Sequence, residues 1–375
     1  MGLLARMNSE LVAAMKSNIG KVATGPEYSK DLSFDEAYSA MQYILDKGAD
    51  PVQAAVFLIS IRMKRETMDE NKGILKAIID GANIATANVD ELVDIADPYN
   101  GHNRSLPICA FMPPVLAACG LPAVSHGLET INPKYGITTH KVLAAAGLDV
   151  SLSPAAAAQR IENPDIGWAY TDQQAYAPEL HKLMDLRERI IKRQVITTVE
   201  VLVGPVRATN KTHLLTGYVH KAYPPVYAEL ARFAGFDSAM IVRGVEGGVI
   251  PSLQQPHKVY SYTDKGEEAP NTFDPKSIGI DQPDRAVPIP SSLPQGDETK
   301  CKEFDVDAAA SATAEAGIAA LKGKKGISYD SLVYSCAIVL AHTGSKGTGV
   351  VDNLSAAADK VRKILDSGEA FERFV

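Results

Sequence analysis

Four stretches of this chain combine residue types that could hold an anion or move a proton. The first is Asp97-Pro-Tyr-Asn-Gly-His-Asn-Arg-Ser105, which follows an apolar run and precedes a helical one. Free backbone N–H groups converge on anions at such strand-to-helix turns. Asn100, Gly101, Asn103 and Ser105 could form a turn whose N–H groups face a phosphate, with Arg104 adding charge. A solvated turn with a helix cap is the plainer alternative. The second stretch, Ala123–Val150, carries His126, a general acid/base or phosphate donor unless its ring is spent on a backbone hydrogen bond. Around it, Gly127, Asn132, Thr138 and Thr139 are candidate contacts to phosphate or hydroxyl groups, and Thr139 doubles as a candidate N-cap.

The third stretch, His181–Arg193, concentrates Lys182, Arg187, Arg189, Lys192 and Arg193. One arginine here could grip a substrate carboxylate through two parallel hydrogen bonds. Several together could track a nucleic-acid backbone, whereas a solvated helix face is the commonest fate of such a run. The fourth, Ile241–Gly248, holds Glu246, which could meet a metal or a sugar hydroxyl. A lone carboxylate makes a thin magnesium site, and Gly247-Gly248 suits an ordinary turn.

The elements that must position these residues fall into two groups. Residues 1–88 predict a small helical domain with no strand. Its first helix is expected to end near Ser17, followed by a looser connection from Asn18 to Asp31. Ser33/Glu36 and Thr67/Glu70 have capping-box spacing, and Asp50-Pro51 is a further helix start. The helix after Pro51 is nearly all apolar from Ala54 to Ile61, which predicts burial among its neighbours.

Beyond Val89, short apolar runs alternate with helical segments, the pattern of βαβ units and a mostly parallel sheet. Strands are expected at Leu92–Ala96, Ala123–Ser125, Ile166–Tyr170, Leu214–Val219 and Ala239–Val242. Helices are expected near Leu106–Cys119, Thr139–Ala146, Pro154–Glu162, Pro178–Ile191 and Pro225–Phe233, then at Asp307–Leu321, Tyr329–Ala341 and Leu354–Ser367. The Pro-, Gly- and Asp-rich segment 251–300 reads as a long ordered insertion with one hairpin near Lys258–Tyr262.

The 375 residues are enough for two domains and a large core. A net charge of −7 argues against a general nucleic-acid binder, although a local patch can override the total. Cys109, Cys119, Cys301 and Cys336 show no metal-ligand spacing and suit reduced thiols. With no apolar run long enough for a bilayer, the chain is expected to be cytoplasmic and to have no membrane partner.

The four stretches, in this order behind a helical N-terminal domain, resemble the anthranilate phosphoribosyltransferase family, whose fold is shared with class II nucleoside phosphorylases. The resemblance covers roughly residues 5–250 and 305–370. It implies an α/β fold with a small all-helical domain (residues 1–88, joined by about 173–202) and a larger domain with a mostly parallel central sheet (residues 89–172 and 203–375). An active cleft would lie between the two. The family's glycine-rich GTGGD turn corresponds to Asp97–Arg104, which keeps one Gly, and its KHGNR motif corresponds to Ser125-His126-Gly127-Leu128-Glu129. Its substrate arginine corresponds best to Arg187, and Val201-Leu-Val-Gly-Pro205 to the helix end that follows. The family's Asp-Glu pair, which holds magnesium, is replaced by Val249 and Ile250, with only Glu246 upstream.

These changes resemble a divergent second branch of the family. What they imply is a glycosyl or phosphoribosyl transferase with an acceptor other than anthranilate. Its ligand would be a phosphorylated sugar or nucleotide-like molecule, Mg2+ would be the family cofactor, and a homodimer would form through the helical domain. The alternative that the branch implies is a protein binding DNA or RNA on the same scaffold.

Overall fold

The computed structural model describes residues 3–46, 48–297, 303–344 and 353–375. Four helices come first: α1 (Leu3–Val22), α2 (Phe34–Leu45), α3 (Pro51–Lys64) and α4 (Met68–Asp80). Both capping boxes form, and Asp50 caps α3 with Pro51 at its first position. The first helix runs past Ser17 to Val22, so the looser connection is shorter than the glycines at 20 and 25 predict. Nor is α3 wholly buried. Ala54, Phe57, Leu58 and Ile61 form its buried stripe, while Val52 and Met63 are exposed, because a helix on the rim of a bundle buries one side whatever its composition. Glu70 is fully buried and fully used: its carboxylate accepts from Leu32 N–H and Thr67 N–H and pairs with Lys64.

Nine strands follow: β1 (Ala85–Thr86), β2 (Glu91–Ala96), β3 (Ala123–Gly127), β4 (Trp168–Asp172), β5 (Val206–Arg207), β6 (Lys211–Gly217), β7 (Ser238–Val242), β8 (His257–Tyr262) and β9 (Ala269–Phe273). The main sheet has the order β4-β3-β2-β6-β7-β8-β9. Its first five strands are parallel, and the β8–β9 hairpin extends it antiparallel to β7. The expected hairpin within 251–300 is therefore an edge of the sheet. The two-residue β1 pairs with β5, which corrects the expectation of no strand before residue 88.

Strand residues alternate between two large cores, as the period of two requires. Val93 and Ile95 face a core built with the helices at 306–321, 327–343 and 354–367. Ala96, Leu214 and Ile241 face a second core, shared with α1–α4, with residues from Tyr176 to Val203 and with the helix Tyr223–Phe233. Covering both faces explains why the central strands are buried nearly throughout.

Two expected helices are altered by local chemistry. The segment from Leu106 begins as a 3-10 turn, Ile108–Phe111, and becomes α-helical only at Met112. The segment after Pro178 breaks into Pro178–His181 and Met184–Ile190, and it ends at Ile191, which has φ +67°. The helix Glu369–Phe374 was not expected; Gly368, with φ +80°, separates it from its predecessor.

Two histidines sit deep in this frame. His257 stacks on Phe273 and meets Tyr334, and His342 reaches Ser238 Oγ at 3.2 Å. Burial lowers both pKa values from 6.5 to about 4. Both rings are neutral in the folded protein, whereas the unfolded chain takes up their protons below pH 6.5. Stability is present above that pH and is lost as pH falls toward 4, by roughly 2–4 kcal/mol per histidine at most. Urea unfolding between pH 7 and 4 is expected to show this slope, and His257→Gln or His342→Gln to flatten it.

Candidate active site

The carboxyl ends of β2, β3, β6 and β7 send out loops that face α3 and the segment 193–201. A cavity of about 150 Å³ lies between them, lined among others by Arg62, Tyr99, Asn100, Lys134, Arg193, Tyr218, Tyr223 and Glu246. Arg62 extends from α3 to donate to Glu66 at 2.9 Å and to the Tyr223 hydroxyl at 2.7 Å. Lys134 is held by Gly101 O at 3.2 Å and stands 3.5 Å from Glu246. Its pKa lies below the ordinary lysine value, chiefly because burial strips water from the ammonium. Arg193 stands close enough for its charge to be felt at Lys134 and to feel that of Arg62. Three cations thus share one mouth.

The turn after β2 is built by close backbone contact. Gly101, with φ +71°, lets His102 pair with Ile137, and a Cβ at Gly101 would lie 2.6 Å from Gly136 C and Ile137 O. A Cβ on Gly136 would strike His102 N at the same distance. Beneath the turn, Asp97 accepts from Val249 N–H at 3.0 Å and meets His102 Nε2 at 2.7 Å. Among the described residues, Asp97, His102 and Cys109 are the one group with metal-ligand proximity, and its carboxylate is already engaged.

The turn's donors are occupied from within. Glu246 accepts from Asn103 N–H at 2.9 Å, from Arg104 N–H at 2.8 Å and from Ser105 Oγ at 3.0 Å. The residues singled out as a phosphate cradle therefore do converge on an anion, and that anion is Glu246. Glu246, expected from the sequence to meet a metal or a sugar hydroxyl, meets the turn in this structure. These donors, with His102 and Lys134, outweigh desolvation and hold its carboxyl below the usual range. Of the turn residues, Asn100 reaches the cavity wall, and its buried Oδ1 has no partner.

His126 lies beneath the cavity, not on its wall. Its Nε2 is 2.7 Å from Asp94 Oδ1, and its Nδ1 meets the Tyr99 hydroxyl. In the tautomer whose Nε2–H donates to the Asp94 carboxylate, Nδ1 accepts from Tyr99, whose oxygen lies 2.5 Å from the Tyr176 hydroxyl. Burial raises both phenols well above their ordinary range, so both stay protonated. A ring with no exposed side-chain surface cannot reach a ligand; His126 orients Tyr99, which does line the cavity. Gly127 ends β3 and is buried beside Tyr170 and Tyr99.

Arg187 is also turned inward. It makes a bidentate pair with Glu200 at 2.7 and 2.6 Å, and both side chains are about 1% exposed. A substrate carboxylate has no access to a guanidinium whose fork is already filled. Asn132 donates to Arg187 O at 2.7 Å, and Thr138 caps the helix at Thr139–Ala145 while donating to Glu129 O. These three, with the buried Thr139, serve the scaffold. The basic run also disperses. Lys182 pairs with Glu179, Arg189 pairs with Asp185, Lys192 is exposed, and only Arg193 joins the cavity.

The chain matches the family model of the glycosyl transferase family helical bundle domain over residues 16–82 and that of the family's α/β domain over residues 100–287. It belongs to this glycosyl transferase family. Within the family it is 32% identical to an uncharacterized protein of Aquifex aeolicus, over 68% of this chain and 74% of that protein. It is 26% identical to anthranilate phosphoribosyltransferase of Sphingopyxis alaskensis, over 92% and 95% of the two chains. Among solved structures, that of the Saccharomyces cerevisiae enzyme in complex with PRPP and Mg is similar, with a TM-score of 0.73 and 17% identity over 96% of each chain. The Thermus thermophilus enzyme gives 0.69 and 19%, over 96% and 97%. The α/β fold with its helical bundle is thus the fold of anthranilate phosphoribosyltransferase, and this chain is an anthranilate phosphoribosyltransferase-like member of the family.

Arg62, Lys134, Tyr99 and Tyr218 are cavity residues that motif reading passes over, because they lie on four separate loops and helices. The one legible signal is Tyr99, inside the Asp97–Ser105 run. The buried pair generates a test. Arg187→Met or Glu200→Gln alone is expected to cost about 3–5 kcal/mol, because each strands a buried charge. The double variant Arg187→Met/Glu200→Leu is expected to recover much of that loss in urea unfolding.

Proposed function

We propose that this protein is a glycosyl or phosphoribosyl transferase of its family that binds a phosphorylated sugar or nucleotide-like molecule in this cleft, and that anthranilate is not its acceptor. The convergence of Arg62, Lys134 and Arg193 on a cavity with tyrosine walls carries the reading. Of the carboxylates beside them, Glu200 is committed to Arg187 and Glu246 to the turn, while Glu66 pairs with Arg62. Arg193 and the remaining N–H groups of Arg62 and Lys134 would meet a ligand phosphate, and Tyr218, Tyr223 and Tyr227 offer flat surfaces to a sugar or base. In the transfer step the cations would steady the departing phosphate while positive charge develops on the sugar ring, an electrostatic contribution made without reorganisation.

The residues present do not fit the family's magnesium. Val249 and Ile250 are buried in the first core, and the carboxylate of Glu246 is saturated by the turn. No step here runs through a metal.

Titration calorimetry with ribose 5-phosphate is expected to give saturable binding, weakened at least tenfold by Arg193→Glu or Lys134→Glu and unchanged by the remote Lys322→Glu. Absence of heat at millimolar ligand would overturn the proposal. Anthranilate fluorescence is expected to stay constant when the protein is incubated with phosphoribosyl pyrophosphate, magnesium and anthranilate.

A further inference from the structure

We propose that Glu246 is a built-in anion that closes the Asn103–Ser105 turn to diphosphates, so that the cleft selects a ligand with a single phosphate. The proposal rests on the reading of the cleft as a site for phosphorylated sugars. Both carboxylate oxygens of Glu246 are engaged: Oε2 by Asn103 N–H, and Oε1 by Arg104 N–H and Ser105 Oγ, at 2.8–3.0 Å. His102 Nδ1 lies 3.8 Å from Oε1, and Lys134 Nζ 3.5 Å from Oε2. These donors belong to the turn that borders the cleft through Asn100, and charge-assisted bonds to an ionised acceptor are the strong ones.

The backbone carries the mark of this arrangement. Glu246 has φ 56° and ψ 12°, the left-handed conformation, although glycines stand at 244, 247 and 248 around it. A side chain at that φ costs roughly 1–2 kcal/mol, and such strain persists where the surroundings hold it. Here the surroundings are the turn's donors. The carboxyl stays below its ordinary range, so the charge persists at neutral pH.

A diphosphate would also need a counter-ion that this chain does not supply. Magnesium usually binds through one or two carboxylates together with ligand phosphates. The positions that would provide them are Val249 and Ile250, 1% and 3% exposed. A single phosphate needs neither the turn nor the metal, because Arg62, Lys134 and Arg193 face it directly. Glu246 is thus a specificity-determining residue that acts by exclusion: a fixed negative charge stands where a second negative group would have to sit.

The test is calorimetry on the full chain at constant ionic strength, with inorganic pyrophosphate and ribose 5-phosphate titrated in parallel into wild type, Glu246→Gln and Glu246→Ala. Pyrophosphate affinity is expected to rise at least tenfold in Glu246→Ala. It should rise less in Glu246→Gln, whose amide oxygen still accepts from the turn but carries no charge. Ribose 5-phosphate affinity is expected to rise less than pyrophosphate affinity, so that the ratio of the two shifts toward pyrophosphate. If the alanine variant does not fold, the near-isosteric glutamine variant decides. Pyrophosphate affinity within threefold of wild type in every folded variant would overturn the proposal. So would wild-type protein that binds pyrophosphate as tightly as ribose 5-phosphate. Failure of wild type to bind ribose 5-phosphate would overturn the cleft reading instead, and a gain of pyrophosphate binding by the variants would still report the closed turn.

Discussion

A carboxylate can be buried only where donors already wait for it, and this constraint arranges the mouth of the sheet. Four acids lie there. Asp94 meets His126, Asp97 meets His102 and Val249 N–H, Glu200 meets Arg187 and Gln173, and Glu246 meets the turn after β2. The partners lie from 5 positions apart, Asp97 and His102, to 152 apart, Asp97 and Val249. Glu246 ties the loop after β7 to the loop after β2, and Lys134 adds the loop after β3. Unpaired, any one of these charges would cost several kcal/mol, so the loops cannot move independently.

The cleft is what this pairing leaves over. With its acids engaged internally, the residual character of the cavity is set by Arg62, Lys134, Arg193 and a wall of tyrosines. The scaffold is shared with anthranilate phosphoribosyltransferases across more than nine-tenths of the chain. A shared scaffold transmits the place of a site more faithfully than its chemistry, because loops leave the strand ends in the same positions whatever side chains they carry. Here one carboxylate on a left-handed residue occupies the donors of the turn after β2.

Much of the fold was legible in local signals. Capping boxes at Ser33 and Thr67 set helix starts through bonds made within four residues, and apolar runs marked five strands to within a few residues of their ends. The failures share a cause. The run from Lys182 to Arg193 reads as one basic helix, but the helix breaks after His181 and ends at Ile191, and Arg187 is buried against Glu200 while Lys182, Arg189, Lys192 and Arg193 stay exposed. His126 is a polar residue in a polar loop by sequence. It becomes the centre of a buried relay only because Asp94, Tyr99 and Tyr176 arrive from β2, the turn after it and residue 176.

By itself, the sequence determined most of the elements, their order and the edge of the sheet at which polar loops gather, since periodicity, caps and turn residues act over a few positions. Only the tertiary structure decided which polar groups meet a ligand and which meet each other. Such pairing depends on distances of about 3 Å between residues that can lie more than a hundred positions apart, as between the Arg104 N–H and the Glu246 carboxylate. No local pattern encodes that separation, and a residue's type alone does not say whether its partner comes from solvent, from a substrate or from the chain itself.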